Sequence, residues 1–206
     1  MLVDHLVYAT PELDLGVDRI ERLLGIRATR GGQHPGAGTC NALIALGRAV
    51  YLEIVGPDRE QPEPAHPRWF RIDELDEPGL VTWAAKSDDI ARMSNTARQS
   101  GIQLGDAVAG NRRRADGVLL TWRYTDPRMS AADGIIPFFI DWGTTPHPSG
   151  SAAQGASLQR LRAEHPDPEP VRTIARQLGL DLQIDRGPTP ALIATIIGPL
   201  GAVELR

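Results

Sequence analysis

The sequence predicts an α+β fold built from repeated β-α-β-β-β modules, and three observations lead there. Apolar residues recur at helical spacing over Leu13, Val17, Ile20 and Leu24, and Gly25 follows as a left-handed stop. The pattern returns without a gap near the other end of the chain. There Leu161, Val171, Ile174, Leu178 and Gly179 align with Val7, Val17, Ile20, Leu24 and Gly25. Between these copies Ile90, Met93 and Ala97 mark a further helix, closed by Gly101. A supersecondary unit repeated in one chain is the main organisational signal.

The first module is expected over residues 1–56. Residues 2–9 form an apolar strand broken by Asp4 and His5, and Thr10-Pro11-Glu12 supplies a hydroxyl cap, a first-turn proline and an acid. A strand at 26–30 leads into a glycine-rich loop, residues 31–39, whose sequence GGQHPGAGT has too little apolar surface for a core. Apolar runs at 41–46 and 49–55 flank Gly47-Arg48 and read as a β-hairpin. Residues 57–79 carry five prolines, Pro57, Pro62, Pro64, Pro67 and Pro78, and read as a connection over the surface, pinned to the body by Trp69-Phe70.

The second module is expected over residues 80–143. It has a strand at 80–85, a helix capped by Ser87-Asp88-Asp89 and a strand beginning at 102–104. A turn at Asp116-Gly117 and strands at 118–124 and 135–142 complete it. After a loop at 144–155, the third module, 156–206, offers strands at 157–163, 182–185, 191–197 and 202–205 around its helix.

The chain has 206 residues, 41% of them hydrophobic, and a net charge of -4. That is ample for a core, and the mild acidity argues against nucleic acid as a partner. The single cysteine, Cys40, excludes an intrachain disulfide, suits a reducing compartment and reads as a small packing residue. No apolar segment reaches membrane length and no charged leader precedes the first strand, so a cytoplasmic protein without a membrane partner is expected. Neither a Rossmann glycine pattern nor a P-loop is present, so no nucleotide cofactor is expected.

Glu53 asks for an explanation, because a carboxylate inside Val50-Tyr51-Leu52-Glu53-Ile54-Val55 costs several kcal/mol to bury unless it is paired or metal-bound. The alternative is an outward-facing acid, since Tyr51, Glu53 and Val55 alternate with Leu52 and Ile54. His34 lies in the glycine-rich loop, where a neutral imidazole suits a general acid or base, or a bond within its own turn. Thr39 and Asn41 either bind substrate oxygens or tie down that loop. Arg112-Arg113-Arg114 reads as a solvated run from which Arg113, by strand alternation, points inward to a carboxylate.

The chain resembles the glyoxalase-like domain family of the vicinal-oxygen-chelate superfamily, which includes glyoxalases, bleomycin-resistance proteins and extradiol dioxygenases. The residues that carry the resemblance are Asp4-His5-Leu6-Val7-Tyr8, the loop 31–39 with Asn41-Ala42-Leu43, then Tyr51-Leu52-Glu53 and Pro137-Phe138-Phe139-Ile140-Asp141-Trp142. The resemblance implies that two modules pair to form an open half-barrel cleft around a divalent metal, held by a residue from the first and last strand of each.

In the first module those positions hold His5 and Glu53, whose chemistry suits Zn, Ni, Mn or Fe. In the second module Trp83 falls opposite His5, and Ile140 or Asp141 opposite Glu53. If the third module faces the first instead, Gln159 and Glu204 complete the set. The implied function is a small-molecule enzyme, a lyase, isomerase or oxygenase, with His34 and Glu53 catalytic and Thr39, Asn41, Tyr51, Arg113 and Trp142 on the substrate. The alternative is a metal-free binding protein of the bleomycin-resistance type, with Trp83, Trp122, Trp142 and Tyr51 stacking on a flat ligand. An odd number of modules leaves one to pack outside the cleft or to meet its counterpart in a homodimer, and the homodimer is expected.

Overall fold

The first module supplies β1 (Val3–Ala9), α1 (Leu13–Leu24), β2 (Thr29–His34), β3 (Thr39–Ala45) and β4 (Tyr51–Pro57). The second supplies β5 (Gly79–Lys86), α2 (Ile90–Gln99), β6 (Ala107–Arg113), β7 (Leu119–Thr125) and β8 (Phe138–Asp141). In the computed structural model, which describes residues 3–99, 101–114, 117–129 and 131–206, these strands join in one sheet of eight. The order is β2-β3-β4-β1-β5-β8-β7-β6, with β1 and β5 antiparallel at the middle. The edge strands β2 and β6 approach each other, so the sheet curls almost shut. Glycine permits that approach, because a Cβ on Gly32 would lie 2.7 Å from the Arg113 carbonyl oxygen.

The helices cover the outer face. Leu13, Val17, Ile20 and Leu24 of α1 are buried there with Leu6, Ile54 and Trp83. Burial of four such aliphatic side chains contributes roughly 6–12 kcal/mol before chain entropy is subtracted. Gly25, at φ 75°, closes α1 with its N–H on the Glu21 carbonyl. The inner face carries Val7, Ala9, Val55, Ala84, Phe138 and Ile140.

The third module has β9 (Ser157–His165), α3 (Pro168–Gln177), β10 (Gln183–Arg186), β11 (Ala191–Gly198) and β12 (Gly201–Leu205). It keeps the element order of the first module but not its strand order. In the first, the opening strand sits beside the closing one; here the order is β10-β9-β11-β12. The gap-free alignment therefore reports a helix and its packing, not a shared sheet. This module packs outside the cleft. Leu161, Val171 and Leu178 join the outer core, and its main chain bonds the body where Leu158 N–H meets the Leu46 carbonyl and Leu80 N–H meets the Arg206 carbonyl.

Four expectations are corrected. Residues 31–34 are strand rather than loop, because their main chain pairs with β3 and leaves only 35–38 as the turn. Residues 102–104 are not a strand; the main chain joins the sheet only at Ala107. Arg112 and Arg113 belong to β6 instead of a solvated run. Glu12, not Thr10, is the N-cap residue of α1, and Thr10 instead bonds Glu12 locally. Leu2 and Asp116, on which the first strand and one turn were expected, lie outside the described residues. Among the described residues no helix is long and apolar enough to cross a membrane.

Candidate functional site

The curled sheet leaves one open side, and the proline-rich connection folds over it. A 3₁₀ turn, Trp69–Glu74, places Trp69 and Phe70 over the interior and buries Ile72 against Val7, Val55 and Ala84. The turn is tight enough to hold Phe70 and Arg71 at φ 61° and 54°, a left-handed conformation that side chains resist. Arg68 fastens it by donating to the Gly38 carbonyl at 2.8 Å and to Asp73 at 2.7 Å. Beneath this roof is a cavity with about 40 Å³ of free space. Its floor is His5, Tyr51, Glu53, Asn41 and His34; its walls are Arg112, Trp122, Tyr124, Phe138, Ile140 and Trp142.

The floor follows from one irregularity. Successive strand residues face opposite ways, so Asp4 and His5 should not share a side. Between Val3 and His5 the pairing of β1 with β5 shifts, leaving Asp4 as the extra residue of a bulge. Asp4 is fully buried, and its carboxylate accepts from three N–H groups: His5 Nδ1 at 2.8 Å, Trp142 Nε1 at 3.2 Å and His147 Nε2 at 3.2 Å. Burial alone would raise its pKa. The bonds from His147 and His5 outweigh that and hold the carboxyl well below the usual range.

The His147 tautomer follows from Ser149, whose N–H reaches Nδ1 at 3.2 Å and leaves the proton on Nε2. Because Asp4 takes the His5 Nδ1 proton, the lone pair of a neutral His5 sits on Nε2. That atom lies 3.6 Å from Glu53 Oε2, and the ring stacks on Tyr51 with centroids 4.6 Å apart.

Glu53 points into the cavity, not outward. Asn41 organises its other side. One amide N–H of Asn41 meets Glu53 Oε1 at 2.5 Å and the other meets His34 Nε2 at 3.2 Å. Its oxygen accepts from Arg112 Nη1 at 3.4 Å. Every polar atom of the amide is used, which fixes its orientation. His34 Nδ1 in turn donates to Thr39 Oγ1 at 2.9 Å. Burial pushes the His34 pKa down to about 4, so the ring is neutral at neutral pH.

That shift yields a prediction. The ordinary value is 6.5, so an unfolded chain takes up the His34 proton before the folded one does. The stability contributed by keeping the ring neutral is present above pH 6.5 and is lost as pH falls toward about 4. The loss amounts to about 3 kcal/mol. Urea midpoints measured across that window are expected to fall less steeply for His34→Gln than for the parent protein; parallel slopes would contradict the assignment.

Other expected site residues lie elsewhere. Thr39 is behind His34, bonded to it, and does not reach the cavity wall. Arg113 is exposed and donates to the Gly117 carbonyl; Arg112 is the inward residue, since β6 pairs Arg112 with Leu120 and Gly110 with Trp122. Trp83 faces the outer core and donates its Nε1 proton to the Ile135 carbonyl, so it walls no cleft. Asp141 turns away and accepts from Gly143 N–H, leaving Ile140 at the second module's end-strand position. Gln159 and Glu204 stand on the separate sheet of four, with Glu204 paired to Arg162 at 3.7 Å. Reasoning from sequence missed Asp4 as a hub, His147, Arg112 and the roof.

These positions decide how a metal would fit. The first module offers His5 and Glu53. The second offers Ala84, beside His5 in the ladder, and Ile140, neither with a donor atom. Among the described residues no three His, Cys, Asp or Glu side chains gather so as to hold an ion. The four-ligand site that the resemblance implied does not fit this chain.

A family model described as a glyoxalase-like domain matches residues 3–179. No curated protein matches the chain. Among solved structures, a hypothetical protein from Staphylococcus aureus superposes with a TM-score of 0.65 at 15% identity, over 98% of this chain and 83% of its own. Methylmalonyl-CoA epimerase from Mycobacterium tuberculosis gives 0.46 at 20% identity, over 69% of this chain and 90% of its own. The Streptomyces coelicolor enzyme of that name, in complex with 2-nitronate-propionyl-CoA, gives 0.47 at 20% identity, over 71% and 97%. Identities this low speak to the fold alone.

Proposed function

The chain belongs to the glyoxalase-like domain family of the vicinal-oxygen-chelate superfamily, and from that premise we propose that its cavity is the reaction site of a small-molecule enzyme acting through His5 and Glu53. One observation carries this reading: buried Asp4 holds His5 so that Nε2 lies 3.6 Å from Glu53 Oε2 inside a cavity walled by aromatic rings. In this arrangement His5 Nε2 takes a proton from the substrate, and the Asp4 carboxylate stabilises the imidazolium that forms. Glu53 receives or returns a second proton from the other side. Phe138, Trp122 and Trp142 hold the apolar body of the substrate, and the roof of Trp69 and Phe70 keeps bulk water out.

A second reading, a divalent metal on His5 and Glu53, draws on the same separation. Two ligands about 2.1 Å from one tetrahedral ion lie about 3.4 Å apart, close to the His5–Glu53 distance. Its remaining positions would fall to water or ligand oxygens. Sequestration without chemistry is less well supported, because Glu53 points in among the tryptophans.

The test is proton exchange from small 2-oxoaldehydes and other carbonyl compounds in deuterium oxide, followed by NMR, with metal content measured on protein purified without tag or chelator. The parent protein is expected to exchange at least one of them, and His5→Ala to lose about a hundredfold in rate or more. Equal exchange by both proteins would remove His5 from the chemistry. A metal bound by the parent and lost in His5→Ala would establish the second reading.

A further inference from the structure

Arg112 is the one buried arginine among the described residues, 3% exposed, and it lines the cavity. A buried guanidinium is costly unless a carboxylate or several acceptors meet it. This one forms no ion pair among the described residues, and its hydrogen bond is a long one, 3.4 Å, to the Asn41 oxygen. Burial lowers its pKa, and the Glu53 charge beyond Asn41 offsets this only in part. The fold makes room for it. A Cβ on Gly31 would lie 2.5 Å from Nη1, so only glycine lets the side chain pass there.

The acids of the site are already engaged: Asp4 by its three N–H donors, and Glu53 by Asn41, which stands between Glu53 and Arg112. On its far side Arg112 borders a hollow of about 150 Å³ that also reaches Leu43 and Ser151.

We infer that Arg112 is the anion-binding residue of this cavity and that its ligand is a small carboxylic acid, seated with its carboxylate on the guanidinium and its adjoining carbon toward His5 and Glu53. The inference rests on the reading of the cavity as the substrate site and narrows the substrate class. A planar monoanion matches the fork of one arginine.

The test uses acetate, pyruvate and benzoate, each against its uncharged amide, titrated into the whole protein while the indole N–H signals are followed by NMR. Trp69, Trp122 and Trp142 line the cavity, whereas Trp83 lies on the outer face and serves as an internal control. At least one acid is expected to shift the cavity indoles and to bind about tenfold or more tighter than its amide. Arg112→Gln is expected to erase that preference and Arg112→Lys to keep part of it, with the Trp83 signal reporting that both variants are folded.

Equal affinity of acid and amide, an unchanged preference in Arg112→Gln, or no shift by any acid would overturn the inference. His5→Ala separates the two claims, since it is expected to lose proton exchange while keeping the acid preference. An Arg112-dependent acid preference in a protein that exchanges no proton would sustain the binding site and sink the proposed chemistry.

Discussion

Asp4→Ala is expected to lower the melting temperature by about 10 °C, the largest effect of any single substitution in the site. The carboxylate is fully buried and terminates three N–H groups from separate parts of the chain: His5 on β1, Trp142 just after β8, and His147 in the connection to the third module. Removing it leaves all three without an acceptor, where each orphan costs about 1–3 kcal/mol. Relief of the carboxylate's own desolvation offsets part of this, and breaking one side of a buried charged network typically costs about 3–5 kcal/mol. A chain of this size loses about 2–4 °C per kcal/mol. Asp4→Asn retains one acceptor oxygen and is expected to fall between the two. Circular dichroism melts decide the matter, and an alanine variant melting within about 2 °C of the parent would mean that Asp4 does not hold these elements together.

Asn41→Leu is the second large effect. The substitution keeps the branching and heavy-atom count of the side chain and leaves no cavity, so the loss reads the missing hydrogen bonds together with the fit of two bulkier methyl groups. It strips Glu53 Oε1 and His34 Nε2 of their amide donors and Arg112 of its acceptor. About 3–4 kcal/mol is expected, with the larger share from Glu53, whose buried charge no longer has a donor on that side. Chemical denaturation at neutral pH measures it. A loss below about 1 kcal/mol would mean that the amide does not hold these three groups in place.

The module order and the helix faces were legible because they are local: Val17, Ile20 and Leu24 bury one face whatever the rest of the chain does. The convergence of His5, His34, Asn41 and Glu53 was within reach for the same reason, since β1, β4, β3 and β2 are neighbours within one module. Parity was not legible. The bulge at Asp4 turns two consecutive side chains toward one interior, and it pairs Trp83 with Leu6, on the outward face, while Ala84 falls beside His5. The same one-residue ambiguity separated Arg113 from Arg112 and Asp141 from Ile140. His147 had no signal at all, because its partner Asp4 is distant in sequence and the loop around it follows no periodicity. The third module misled for a related reason: a helical repeat constrains a helix, while strand order depends on long-range pairing that local spacing does not encode.

The roof bears on rates as well as on shelter. Where entry of a ligand requires Trp69 and Phe70 to lift off the floor they cover, that opening becomes a step of its own. Association would then saturate with ligand concentration at the rate of that opening. Measured affinity would be scaled down by the fraction of molecules open at any moment. Loosening the Arg68 clasp on Gly38 would quicken arrival and departure together, altering how long a ligand stays more than how tightly the floor beneath it can grip.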